Sequence, residues 1–255
     1  MEVYVLASGS KGNSTFVSYN NTNILIDIGI TTINIEKRLR SIGKNPEDID
    51  AILITHSHND HINGLSVFVK KYHPKVYLLT QTFNELPMIN EESCVFYKSP
   101  YLEIKSLKIT LVKTSHDVAS VGYIVSDDNE ELVYITDTGY IRNKDYELLS
   151  NKTYYVFESN HDEVMLMNGP YPHYLKQRIL SNKGHLSNKD SSFLLNKFIG
   201  DKTKSVILAH LSEENNTKEK AIETLKKEIE DKFLNLYIDV AKQNEVTLVR
   251  ESINV

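Results

Sequence analysis

Thr55-His56-Ser57-His58-Asn59-Asp60-His61 follows the apolar run Ala51-Ile52-Leu53-Ile54 without a break. A continuous apolar run of this length fits a strand covered on both faces, the parallel-sheet case. Three imidazoles and a carboxylate then fall within six positions, at what would be the strand's carboxyl end. Imidazole and carboxylate donors suit Zn²⁺, iron and, with more oxygen ligands, Mn²⁺. In a loop, the His56-x-His58 pair can face one ion while Asp60-His61 turns toward a second. A solvated polar turn is the plain alternative, but it gives no reason for three histidines in so short a window.

One segment cannot supply every ligand of a two-metal site, so residues from elsewhere are needed. His116 stands in Thr114-Ser115-His116-Asp117, Asp137 follows Val133-Tyr134-Ile135-Thr136, and His210 follows Val206-Ile207-Leu208-Ala209. Each closes an apolar strand with a metal-binding side chain. Taken singly each is an ordinary strand-end polar residue; beside the histidine-rich motif they form a pattern.

Around these positions the chain alternates strand-like and helical stretches. Strands are expected at Val3 to Ala7, Thr15 to Ser18, Asn23 to Asp27, Val76 to Leu79, Ile104 to Val112, Gly122 to Val125, Leu132 to Ile135, Tyr154 to Phe157, Val206 to Ala209, Leu236 to Val240 and Val246 to Val249. Asp127-Asp128-Asn129 reads as a hairpin turn. Helical spacing is expected through Ile35, Leu39 and Ile42, through Leu65, Phe68 and Val69, over Leu175 to Leu180 and Phe193 to Phe198, and from about Thr217 to Phe233. Strands in both halves interspersed with helices predict sheets covered by helical layers, an α/β architecture. No linker, low-complexity tract or repeat divides the chain, so one domain over 1–255 is expected.

Composition sets the limits. The chain has 255 residues, nine histidines, no tryptophan and the single cysteine Cys94, which excludes an internal disulfide. A chain of this length can bury a full core without one. There is no cationic and apolar leader and no apolar run of about 18–20 residues, so neither a signal peptide nor a membrane span is read, and the cytoplasm is expected. The 29 Lys+Arg against 34 Asp+Glu give a formal charge of −5, which argues against a generic polycation that coats DNA. Two divalent cations would offset most of that charge.

The ordered set His56-x-His58-x-Asp60-His61, His116, Asp137, His210 resembles the metallo-β-lactamase fold family, an αββα four-layer sandwich. The resemblance implies that His56, His58 and His116 hold one metal ion, that Asp60, His61 and His210 hold another, and that Asp137 bridges them. Asp27, in Leu25-Ile26-Asp27-Ile28-Gly29, is similar to the family's early aspartate, which supports the ligand loop from behind. The cysteine ligand of the best-known β-lactamases has no counterpart, because Cys94 lies in no ligand context.

Four further segments resemble the YycJ/WalJ branch, bacterial proteins regarded as 5′→3′ DNA exonucleases. They are Ser8-Gly9-Ser10-Lys11-Gly12-Asn13, Glu158-Ser159-Asn160-His161-Asp162, Gly184-His185-Leu186-Ser187-Asn188 and His210-Leu211-Ser212-Glu213-Glu214-Asn215-Asn216. This implies a phosphodiesterase with two divalent ions, zinc or manganese, acting on nucleic acid, DNA in preference to RNA. Its ions would clamp the phosphate about 3.5–4 Å apart and activate a bridging hydroxide. Asp60 would orient the nucleophile, His185 would contact the phosphate or protonate the leaving oxygen, and His161 would serve the same pocket. Acid-free stretches holding Lys70, Lys71 and Lys75, and Lys176, Arg178, Lys183 and Lys189, could line a phosphate track or simply be solvated helix faces. The rival readings are a thioester or cyclic phosphodiester hydrolase using the same metals, and a metal-stabilised binding module.

Overall fold

Ile24, Leu25 and Ile26 in strand β3 (Thr22–Ile26) are all fully buried, yet they belong to two different cores. A strand turns successive side chains to opposite faces, so an unbroken apolar strand needs cover on both sides. The computed structural model, which describes residues 1–86, 89–230 and 235–249, supplies that cover with two face-to-face sheets and helices outside each.

Along the chain, β1 (Glu2–Ala7), β2 (Ser14–Tyr19), β3, β4 (Ala51–Leu53), β5 (Lys75–Leu78) and β6 (Cys94–Phe96) build the first sheet. The second holds β7 (Tyr101–Ile104), β8 (Leu107–Lys113), β9 (Val121–Ser126), β10 (Glu131–Ile135), β11 (Tyr154–Glu158), β12 (Ser205–Ala209) and β13 (Tyr237–Val240). The late strand β14 (Thr247–Leu248) returns to the first sheet beside β1. The orders are β14-β1-β2-β3-β4-β5-β6 and β13-β12-β11-β10-β9-β8-β7. In each sheet the early strands pair antiparallel, while β3 to β6 and β10 to β13 run parallel.

Ile24, Ile26, Ala51 and Leu53 face Tyr154, Val156, Ile207 and Ala209 in the core between the sheets. The alternate residues Leu25, Ile52 and Ile54 pack outward on α1 (Thr32–Ser41) and α3 (Leu65–Tyr72), through Ile35, Leu39, Leu65 and Phe68. On the other side Tyr155, Phe157, Val206 and Leu208 meet Leu195 and Phe198 of α8 (Asn188–Phe198) and Ala221, Leu225 and Ile229 of α9 (Lys218–Ile229). The remaining short helices are α2 (Asn59–Ile62), α4 (Thr80–Asn84), α5 (Tyr146–Leu149), α6 (Glu163–Asn168) and α7 (His173–Ile179). This is the expected αββα sandwich.

The hairpin through Asp127-Asp128-Asn129 forms as expected. One expected strand takes a different form. The run Ile104 to Val112, read as one strand, is the β7–β8 hairpin with Ile104 opposite Leu107. The last part of the helix expected to reach Phe233, residues 231–233, lies outside the described residues.

Candidate functional site

The metal-binding candidates gather at one edge of the sandwich because parallel strands deliver their carboxyl ends there together. Asp27 follows β3 directly, His210 follows β12 directly, and Asp137 lies two residues beyond β10. All three hold left-handed backbone, at φ +61°, +57° and +54°. Non-glycine residues pay roughly 1 kcal/mol or more for that conformation, and such positions cluster at functional sites.

The histidine-rich loop is fastened at both ends by Asp27. Its Oδ1 accepts the Thr55 N–H at 2.8 Å, and its Oδ2 accepts the Thr55 hydroxyl at 2.8 Å and His61 Nδ1 at 2.7 Å. The Asp60 carbonyl accepts the Asn13 N–H at 2.7 Å, and the His61 carbonyl accepts the Ile28 N–H at 2.8 Å. Gly29 is required by this close approach, since a Cβ there would lie 1.7 Å from the Asp60 carbonyl oxygen. The second sheet also holds the loop, through Val121 N–H to the Thr55 carbonyl at 3.1 Å.

Two donor sets result. The rings of His56, His58 and His116 stand 4.8, 4.9 and 5.1 Å apart, centroid to centroid. His116 Nε2 lies 3.2 Å from His58 Nδ1, and Asp117 Oδ1 stands 3.3 Å from the Nε2 atoms of both rings. In the second set, Asp137 Oδ2 is 3.1 Å from His61 Nε2, and Asp60 Oδ2 is 3.6 Å from the Nε2 atoms of His61 and His210. Within each set the donor atoms lie within 4.8 Å of one another. Nε2 of His56 and Nε2 of His210 are buried and make no hydrogen bond among the described residues. Buried ring nitrogens of this kind call for a partner, and a divalent cation among imidazoles and carboxylates provides one.

Glu158, the last residue of β11, is fully buried and joins His210 of the second donor set to His185. Its Oε1 accepts His185 Nδ1 at 2.7 Å and His210 Nδ1 at 3.0 Å, while Oε2 accepts the N–H groups of Thr138 at 2.9 Å and Leu186 at 3.2 Å. A carboxylate behind a ligating imidazole fixes its orientation and leaves the other nitrogen for the metal.

Residues 7–177 match the description "Metallo-beta-lactamase superfamily". The chain belongs to that superfamily. Exodeoxyribonuclease WalJ of Streptococcus pneumoniae is 36% identical over 243 residues, 92% of this chain and 90% of that protein. Exodeoxyribonuclease YycJ of Bacillus anthracis is 36% identical over 234 residues, 89% of each chain. The crystal structure of the metallo-β-lactamase fold protein YhfI from Bacillus subtilis shares the fold at a TM-score of 0.71 and 17% identity, over 96% of this chain and 98% of that one. Superfamily membership and the His/Asp donor sets together point to divalent metal binding.

Charge distribution in this centre follows from burial against close pairs. Burial drives His56 well below the ordinary imidazole range, with His61 adding to the effect. For His61 and His210 burial acts the same way but is outweighed, by Asp137 and Asp27 for His61 and by Asp137, Asp60 and Glu158 for His210. The first is held well above its usual value and the second is raised to about 10. Burial would raise Glu158, but His185 and His210 hold it to about 2. Such strongly shifted neighbours mark a functional site.

The donor sets floor a cleft of about 280 Å³ that Asp60, Asp137, His185 and His210 help to line, with Arg178 and Lys183 also on its walls. His161 is not brought into that lining. It is buried behind it, with burial lowering it to about 4 and neither ring nitrogen hydrogen-bonded among the described residues. Its main chain instead joins the 160–162 and 186–188 segments, through the N–H of Asn188 to the His161 carbonyl at 2.8 Å. Of the two basic stretches, Arg178 and Lys183 reach the cleft, Arg178 pairing there with Asp117, while three other cations are engaged elsewhere. Lys71 pairs with Glu36, Lys75 donates to the Glu92 carbonyl, and Lys176 donates to the carbonyls of Met167 and Gly169.

Sequence reasoning gave no role to Glu158, although the strand-end logic that selected His210 applies equally to it. Ser8 and Asn13 were quoted without an assigned contact; Ser8 Oγ accepts the His210 N–H at 2.7 Å. Among the described residues no helix is long and apolar enough to cross a membrane.

Proposed function

We propose that this chain is a metal-dependent phosphodiesterase that shortens DNA from an end. The observation that carries the reading is the pair of donor sets, one of three imidazoles and one of two imidazoles and two carboxylates. They meet on the floor of a cleft whose walls carry Arg178 and Lys183. The curated relatives named above, matched over nearly their whole length, support an exodeoxyribonuclease in particular. A cationic wall suits a phosphodiester better than a neutral thioester.

In this reading His56, His58 and His116 would hold one divalent ion and Asp60, His61 and His210 a second, with Asp137 available to both; zinc and manganese each suit the donors. Bound there, the ions supply Lewis acidity toward the phosphate and lower the pKa of water. Asp60 would orient the attacking water. Because Glu158 occupies His185 Nδ1, Nε2 is the atom that His185 offers to the cleft, where the doubly protonated ring would donate to a phosphate oxygen or to the leaving oxygen. Arg178 and Lys183 draw the substrate's phosphates in.

The test is incubation with Mn²⁺, Mg²⁺ or Zn²⁺ and end-labelled single- and double-stranded DNA and RNA. The expected result is stepwise shortening of DNA, faster than of RNA and beginning at the 5′ label, and its loss in His56→Ala/Asp60→Ala. No shortening with any metal overturns the proposal.

A further inference from the structure

The cleft continues past the metal donors. It shares His116 and Lys183 with a depression of about 460 Å³ along residues 113–120. That depression shares Lys113 and Arg142 with another of about 560 Å³, between the 97–100 turn and the facing ends of β8 and β9. Strand order sets the direction: β10, β9, β8 and β7 succeed one another toward the end of the sandwich where β6 also closes the first sheet.

This groove is cationic along its length. Lys183, Lys113 and Lys98 line it, are exposed, and form no salt bridge among the described residues. Arg142 lines both depressions and uses its Nε on Asp145 at 2.7 Å. Among the described residues, Asp117 is the single acidic side chain lining either depression. Tyr140, 44% exposed, shares its depression with Lys183 and Arg142. Unpaired cations along a concave surface focus positive potential on a polyanion, and an exposed ring among them is a platform for a base. The four cations come from four separate stretches of chain, so the fold alone assembles them.

We propose that this groove carries the DNA strand that extends from the scissile end, its phosphates passing Lys183, Arg142, Lys113 and Lys98 and a base stacking on Tyr140. The assignment rests on the nuclease reading above.

The experiment compares wild type, Lys98→Ala/Lys113→Ala and Lys98→Arg/Lys113→Arg. Binding of fluorescently labelled DNA is measured in chelator over a range of salt concentrations, and shortening of DNA is measured with metal. Hydrolysis of bis(4-nitrophenyl) phosphate, which has no chain to enter the groove, reads the metal centre by itself. The alanine variant is expected to bind DNA roughly tenfold or more weakly near 0.1 M salt. Its log–log salt slope should be shallower by about 1.5–2, the equivalent of two phosphate contacts. The arginine variant should stay near wild type, and all three should hydrolyse the small diester alike. Equal DNA affinities and salt slopes in wild type and alanine variant, with both shortening DNA, overturn the groove and leave the nuclease reading standing. A wild type that hydrolyses the small diester but neither binds nor shortens DNA overturns both.

Discussion

Asp27 Oδ2 lies 2.7 Å from His61 Nδ1, with both side chains wholly out of solvent. The same carboxylate takes the N–H and the hydroxyl of Thr55. One buried group therefore sets where the histidine-rich loop starts and which nitrogen of its last histidine faces Asp137. Replacing it by asparagine keeps the shape but removes one of the two charges, Asp137 and Asp27, that raise the basicity of His61.

Asp27→Asn is accordingly expected to weaken metal affinity by about 10–100-fold, measured by calorimetric titration of the metal-free protein. Asp27→Ala leaves the Thr55 N–H and His61 Nδ1 without an acceptor, at about 1–3 kcal/mol for each. In a chain of this size Tm should fall by several degrees. An Asp27→Asn protein that binds metal as tightly as wild type would remove Asp27 from the support of the site.

Glu158 couples His185 to His210, and its substitution should show both connections. At saturating metal, Glu158→Gln is expected to lower kcat on DNA by roughly 10–100-fold through misplacement of His185. Combined with His185→Ala, it should add little to the single variant, since the two changes remove one connected unit. Fully additive losses would show that Glu158 and His185 act independently.

What the sequence made legible was whatever is local. The apolar strands declare themselves by burial on both faces, and the ligand loop by a cluster no ordinary turn explains. The β7–β8 turn was hidden because Lys105-Ser106 carries none of the usual hairpin residues. Lys105 adopts φ +51° there. The turn is fixed by the other sheet: Ser106 Oγ donates to the Tyr19 carbonyl at 2.9 Å, and Lys105 pairs with Asp50. Glu158 was hidden for a related reason. Its role exists only once β11 stands between β10 and β12, and nothing adjacent in sequence separates it from any polar residue closing a strand. Charge runs were legible only in part, since Arg178 and Lys183 reach the cleft while Lys71 pairs with Glu36 and Lys176 donates to the carbonyls of Met167 and Gly169.

Gly29 tests whether close backbone approach, rather than the ligands alone, builds the centre. A methyl group at Gly29 would sit 1.7 Å from the carbonyl oxygen of Asp60 and 2.5 Å from the Asn13 nitrogen. Both are backbone atoms that cannot swing aside. Gly29→Ala is expected to cost about 1–3 kcal/mol by overpacking, and to lower the metal content of the purified protein because Asp60 and His61 move with the loop. Metal content and Tm both equal to wild type would show that the loop has slack at this point.

The acid limb of stability should be controlled in part by a site remote from the His/Asp centre. Glu130 accepts the hydroxyl of Tyr154 at 2.7 Å and pairs with Lys204 at 2.8 Å and the amino terminus at 2.8 Å. Burial would raise its carboxyl, but Lys204, the amino terminus and Tyr154 outweigh burial and hold it at about 2, against an ordinary value of 4.5. A carboxyl depressed on folding stabilises the native state above its unfolded pKa, and that contribution fades as pH falls from about 4.5 toward 2. Glu130→Gln should therefore be less stable than wild type near pH 6, by on the order of 2 kcal/mol after solvent screening. The gap should close on acidification. Urea unfolding of both proteins between pH 3 and 7, in chelator so that metal loss does not contribute, reads this directly; a gap that stays constant with pH would assign the loss to packing rather than to charge.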